Sequence, residues 1–218
     1  MSGDVVTVSL RAPLTEPLKV DGLSADRIAG LSEYEIAALP AWLGARKARL
    51  GDFFDVKGER SDRVRVVGAL TNVRGVAAGM AGGELVIDGD SGDGVARGMT
   101  GGVVVVSGDV GVDAARAMTA GTLVVFGRTG AGAGRGSIRG SIVALGGIDV
   151  PVAYWSACTY EPPHVRLLLT YLRRRYGLKI DERMINGKYR RYCGDAGSPG
   201  RGEILEWIGS AFSGDVAN

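Results

Sequence analysis

The sequence predicts an all-β protein, a parallel β-helix of 19-residue coils with short α-helical flanking segments. Three observations carry this: an excess of glycine, a repeat of fixed length, and a short apolar strand inside each repeat. The 218 residues include 36 glycines, about twice the usual share of roughly 7%. They follow no period of three, which excludes a collagen triple helix. Tight turns between short strands account for such a composition.

The repeat is read from the glycines themselves. Gly89, Gly108, Gly127 and Gly146 recur at one constant interval, and Gly83, Gly102, Gly121 and Gly140 recur at the same interval. Met80, Met99 and Met118 keep that period, with Ser137 in the fourth place. An earlier unit, 68–88, fits with two extra residues before Met80. A period of this size marks a solenoid, in which each repeat can bury its apolar face only against its neighbours. Coils stacked strand on strand lie about 4.8 Å apart.

Between the two glycine columns lie ELVID, VVVVS, TLVVF and SIVAL. β-Branched runs bounded by glycines read as strands, and glycine recurs too often for a helix. Alternation assigns their faces. Leu85, Val104, Leu123 and Ile142 form one wholly apolar column, and Ile87, Val106, Val125 and Ala144 form another; both are expected to point inward. Val86, Val105, Val124 and Val143 then point outward. A row of four valines facing water needs cover, either from the C-terminal part of the chain or from a partner, so these four are candidate interface residues.

The flanks carry helical signals. Ser32 and Glu35 have capping-box spacing before Ile36, Ala37 and Leu39, and Pro40 closes that segment. FFDV (53–56) reads as a strand leading into the repeats. After Pro162 and Pro163, the residues Val165, Leu168, Leu169 and Leu172 have helical spacing, and Gly177 ends the run. Asn186-Gly187 marks a turn. The expected organisation is an N-terminal flank (1–58), the β-helix (59–153) and a C-terminal capping segment (154–218).

The net charge of +2 gives no global case for nucleic-acid or membrane binding. The N-terminus has no basic-then-apolar pattern of a signal peptide, and no apolar run is long enough to span a bilayer. Cys158 and Cys193, far apart in sequence, fit a reducing cytoplasm.

No catalytic constellation emerges. His164 is the single histidine and reads as a residue near a helix start. Cys158, His164 and Cys193 lack metal-ligand spacing. GRTGAGAGRG (127–136) fits neither phosphate-loop template and is in phase with the other coils, so it reads as a corner. Asp90 and Asp109 align, but Arg128 follows in their column. A β-helix carbohydrate-active enzyme, which needs paired carboxylates on one groove, is therefore a remote alternative.

One column stands apart. Arg97, Arg116 and Arg135 keep the interval of the glycines and would stack as like charges, which repel by roughly 0.8 kcal/mol at about 5 Å even in water. Asp93 and Asp113 are candidate neutralising partners. The column is either a solvated ladder or an anion-binding strip, since the guanidinium fork suits repeated carboxylates.

The flanks carry a resemblance. LPAWLGARKARLGDFFDVKG (39–58), RLLLTYLRR (166–174), RRYCGD (190–195) and GRGEILEW (200–207) resemble the C subunit of formylmethanofuran dehydrogenase and of its bacterial relative, the formyltransferase/hydrolase complex. The match runs from about residue 20 to 208, with Ala45 standing where the family usually has Asn. The repeats are also similar to the C-terminal β-helix of the glutamate synthase large subunit, but the flanks are not. The resemblance implies a right-handed coil and a non-catalytic scaffold subunit of a cytoplasmic hetero-oligomer with hydrolase-like and formyltransferase subunits. The bacterial complex moves formyl from formyl-tetrahydromethanopterin to methylofuran and releases formate. The archaeal-type dehydrogenase, which reduces CO2, is the alternative. No cofactor is expected on this chain, while the complex would use tetrahydromethanopterin and a methylofuran-type carrier. Its polyglutamate-like tail is a candidate ligand for Arg97, Arg116 and Arg135.

Overall fold

Parallel strand pairing at a constant sequence offset organises the protein. The structure is a computed structural model, and it describes residues 5–194 and 202–209. The strands are β1 (Val6–Leu10), β2 (Leu18–Lys19), β3 (Pro40–Leu43), β4 (Arg46–Arg49), β5 (Phe54–Lys57), β6 (Arg63–Val67), β7 (Val73–Arg74), β8 (Glu84–Asp88), β9 (Thr100–Val106), β10 (Ala120–Val125), β11 (Ser141–Ala144), β12 (Trp155–Tyr160), β13 (Tyr189–Cys193) and β14 (Glu203–Trp207). The helices are α1 (Ala25–Ile28), α2 (Glu33–Ala37), α3 (Pro163–Tyr176) and α4 (Glu182–Ile185). The fold is mainly β.

The repeat becomes a register. Leu85 pairs with Val104, Val104 with Leu123, and Leu123 with Ile142, each in parallel and each one repeat further along the chain. A second line of parallel bridges joins Leu70, Ser91, Val110, Thr129 and Ile148. Strands β6, β8, β9, β10 and β11 therefore sit one above another, and backbone amides at the turns also bond from one repeat to the next. Gly98 N donates to Arg116 O at 2.8 Å and Ala117 N to Arg135 O at 2.9 Å.

The ends of the stack come from the flanks. β1 pairs parallel with β6, and β14 pairs parallel with β11. The larger sheet is mixed, because β5 joins β1 antiparallel and β12 and β13 join β14 antiparallel. Its order is β12-β13-β14-β11-β10-β9-β8-β6-β1-β5, and a four-stranded sheet runs β4-β3-β2-β7. The strand read at FFDV is β5, turned back along β1 rather than continuing into the parallel stack.

The inward columns are as alternation predicts. Leu85, Val104, Leu123 and Ile142, with Ile87, Val106, Val125 and Ala144, are buried, and Val6, Val64 and Ile204 extend the first column to both ends. Met80, Met99 and Met118 fill one side of this core. Ser137, which takes their fourth place, is buried with its hydroxyl donating to Ala115 O at 2.9 Å. The capping box at α2 is formed: Glu35 N donates to Ser32 Oγ and Ser32 N to Glu35 Oε2. α3 starts with Pro163 and ends at Gly177, whose left-handed φ of 66° suits a residue without Cβ.

Candidate functional site

The arginine column is real in space. Arg97, Arg116 and Arg135 are exposed on three successive turns whose backbones are hydrogen-bonded at these residues. Their neutralisation is uneven. Asp113 meets both Arg116 at 3.1 Å and Arg135 at 3.3 Å. Asp93 pairs with Arg74 at 3.3 Å, and Lys19 pairs with Asp21 at 2.8 Å. Arg97 forms no ion pair among the described residues; it lines a shallow cleft of about 300 Å³ with Lys19, Arg74, Asp93 and Asp113. Five cations thus face three carboxylates along this strip, leaving an excess of two positive charges. A like-charge column is tolerable here because one carboxylate bridges two rungs and the third guanidinium stays in water.

The valine row requires a correction. Val86, Val105, Val124 and Val143 are at most 1% exposed, so they offer no face to a partner. They pack with Val165, Leu169, Leu172 and Tyr176 of α3, and with Leu145, Tyr189 and Leu205. The chain lays its own amphipathic helix over the strip. Burying such side chains stabilises by about 1.5–3 kcal/mol each, which is reason enough for the helix to dock. The opposite side of α3 then faces out, with Leu167 72% and Tyr171 41% exposed.

α3 is clamped at its end by Glu84. The phenol of Tyr171 donates to Glu84 Oε1 at 2.7 Å and that of Tyr176 to Oε2, while Arg63 lies 3.8 Å from the same carboxylate. Burial first, and then the hydrogen bond to Glu84, push both phenols above the ordinary tyrosine value.

Polar residues also gather around Glu203. It accepts Arg191 Nε at 2.7 Å and Ser141 Oγ at 2.7 Å, and His164 Nε2 stands 3.8 Å away. A nucleophilic serine needs the imidazole between hydroxyl and acid. Here the carboxylate occupies the middle and holds the serine proton donor directly, so the cluster ties β11, β13, β14 and α3 together rather than activating Ser141. Cys158 and Cys193 are free thiols. No group of three or more His, Cys, Asp or Glu is placed to hold a metal among the described residues.

The corner carboxylates are used structurally. Asp90 Oδ1 accepts Asp109 N at 2.8 Å, Asp109 Oδ1 accepts Arg128 N at 2.7 Å, and Asp93 Oδ1 accepts Val112 N at 3.1 Å. In the glycine-rich segment, Gly127 N donates to Gly108 O, Gly130 N to Val110 O and Gly134 N to Ala114 O. Those amides bind the preceding turn, which is why the segment is a corner and not a phosphate cradle.

A cleft of about 840 Å³ lies at the β12 end of the sheet and is lined by Thr159, Glu182, Arg183, Lys188, Arg190 and Trp207. Arg183 is held by Asp181 at 2.7 Å, and the Trp207 indole donates to Arg183 O at 3.2 Å. Lys188 forms no ion pair among the described residues.

No family model matches the chain. Over 92% of its length the chain superposes, with a TM-score of 0.55 and 23% identity, on 98% of a chain in the crystal structure of the formyltransferase/hydrolase complex FhcABCD from Methylorubrum extorquens, solved with methylofuran. In sequence it is 32% identical over 78 residues, 35% of this chain, to the C subunit of the molybdenum-containing formylmethanofuran dehydrogenase 1 of Methanothermobacter marburgensis. It is 26% identical over 87 residues, 39% of this chain, to the C subunit of the tungsten-containing formylmethanofuran dehydrogenase 2 of Methanococcus maripaludis. The chain resembles the formylmethanofuran dehydrogenase C subunit. The matched region is 20% of the first of these relatives and 32% of the second.

Several features of this C-subunit-like chain escape a reading of the sequence. The Glu84 clamp joins residues 87 and 92 positions apart, and no local pattern announces it. The cleft is built from β12, α4 and the ends of β13 and β14, and Asn186-Gly187 is its only visible sign.

Proposed function

We propose that this chain is the non-catalytic scaffold C subunit of a bacterial formyltransferase/hydrolase complex, which moves formyl from formyl-tetrahydromethanopterin to methylofuran and releases formate. The observation that carries this reading is the match of 92% of the chain to a chain of such a complex, supported by the resemblance to the C subunits of two formylmethanofuran dehydrogenases. In this reading, the parallel stack is a right-handed β-helix spanning 59–153, capped by 1–58 and 154–218. It works in the cytoplasm beside hydrolase-like and formyltransferase subunits and holds no cofactor itself.

Arg97, Arg116 and Arg135 have a place in that function as an anion strip for the acidic tail of the methylofuran-type carrier. The unneutralised Arg97 and the excess positive charge favour it. The test is co-expression with hydrolase-like and formyltransferase subunits from the same organism, followed by purification and assay of formate release. Loss of this chain should dissociate the complex. A solitary monomer that never copurifies with a hydrolase-like subunit overturns the proposal. Replacing all three arginines with Gln should weaken carrier binding, and added salt should narrow the difference between variant and native; unchanged affinity removes the strip from the proposal.

A second reading, the C subunit of an archaeal-type dehydrogenase that reduces CO2, is favoured by the names of the curated relatives. Iron–sulfur and pterin subunits in the purified complex would select it.

A further inference from the structure

The charges that line the 840 Å³ cleft are mostly answered from within the chain. Arg183 is held by Asp181 at 2.7 Å. Glu182 accepts Arg173 Nη1 at 2.8 Å and Asn186 Nδ2 at 3.1 Å. Arg190 stands opposite Glu206, which also accepts the Tyr192 hydroxyl at 2.8 Å. Lys188 has neither an ion pair nor a side-chain hydrogen bond among the described residues. Beside it, Trp207 and Ile208 give the cleft an apolar wall.

The main chain itself runs into this cleft. Ile208 N donates to Lys188 O at 3.0 Å. At Gly209 the backbone lies against the Trp207 indole, where a Cβ would stand 3.3 Å from Cη2 and 3.4 Å from Cζ3. Ile208 and Gly209 are both part of the lining. The sequence that follows is SAFSGDV (210–216), with one large apolar residue, Phe212, and one acidic residue, Asp215. Measured along the chain, Phe212 is within about 10 Å of Gly209 and Asp215 within about 20 Å.

We propose that residues 210–216 fold back into this cleft, with Phe212 beside Trp207 and Ile208, and Asp215 on Lys188. Tethering selects this occupant. A segment joined to the cleft wall by a few residues is present there at about millimolar effective concentration. A second copy, which would bring Glu161, or a strand of another subunit must first lose the freedom of a separate molecule. Charge agrees, since one carboxylate meets one unanswered cation. The segment removes an apolar cleft from the surface of the unassembled chain. The proposal concerns the chain by itself and is independent of the subunit reading.

The experiment replaces Phe212 with p-benzoylphenylalanine in the full chain and irradiates an equal mixture of isotopically heavy and light protein. Adducts are expected within one chain, light to light and heavy to heavy, on peptides that carry Thr159, Lys188 or Trp207. In this background Lys188→Glu should lower the yield about fivefold or more. Adding Asp215→Lys, which exchanges the two charges, should restore most of it. Heavy-to-light adducts, adducts elsewhere in the chain, or no adduct each overturn the proposal. So does a yield that ignores Lys188→Glu or is not recovered by the exchange, and so does an adduct to another subunit when the assembled complex is irradiated.

Discussion

The terminal methyl of Met99 occupies the space that a side chain on Gly121 would need. A Cβ at Gly121 would stand 2.6 Å from Met99 Cε. The same relation joins Met80 to Gly102 and Met118 to Gly140, so the methionine and glycine columns are two halves of one packing device. Gly121 also has a φ of 96°, where a side chain is strained.

Gly121→Ala is therefore expected to destabilise by about 2–4 kcal/mol, from overpacking together with the backbone term. Gly44→Ala, at a φ of 56° with open space around it, should cost only about 1 kcal/mol. Urea unfolding of the two variants checks this. Equal losses would show that the methionine contact contributes nothing.

Ala117→Gly should stabilise the protein by about 1 kcal/mol. Ala117 has a φ of 56° and is exposed, whereas Gly79, Gly98 and Gly136 hold the corresponding position on the other turns. Relief of the left-handed strain on a β-carbon outweighs the added freedom of the unfolded chain. A lowered melting temperature would contradict it.

The two sides of α3 should respond differently. Leu169, buried against the valine row, should cost about 2–5 kcal/mol on truncation to Ala. Leu167, 72% exposed, should cost no more than about 0.5 kcal/mol in the isolated chain. Thermal unfolding of each variant decides it, and similar losses would mean that α3 is not seated as described.

Stability should fall at both extremes of pH. Burial raises the phenols of Tyr171, Tyr176, Tyr189 and Tyr192 above their ordinary value of 10.0. The unfolded chain then ionises first, so their contribution is complete below pH 10 and is lost as pH rises beyond it. On the acid side, hydrogen bonds from Ser32 lower Glu35, and those from Arg183 lower Asp181 to about 2. Those contributions are present above the ordinary carboxylate values and disappear as pH falls toward 2. Denaturation midpoints between pH 2 and 12 test both signs; a midpoint still rising above pH 10 would contradict the alkaline limb.

The middle of the protein is legible in its residues alone. A repeat of constant length pairs each strand with its own image, so the register of Leu85, Val104, Leu123 and Ile142 follows from counting, and alternation follows from the strand period. The stacking of Arg97, Arg116 and Arg135 comes with it for the same reason. The ends and the outer cover are matters of long-range packing. Val6 of β1 pairs with Val64 of β6, and Ser141 of β11 pairs with Glu203 of β14, across separations that no repeat could foretell. The valines are legible as an apolar row, but their burial beneath Val165, Leu169 and Leu172 depends on where a helix after β12 returns. That return is set by packing between segments with no shared pattern, and neither segment alone encodes it.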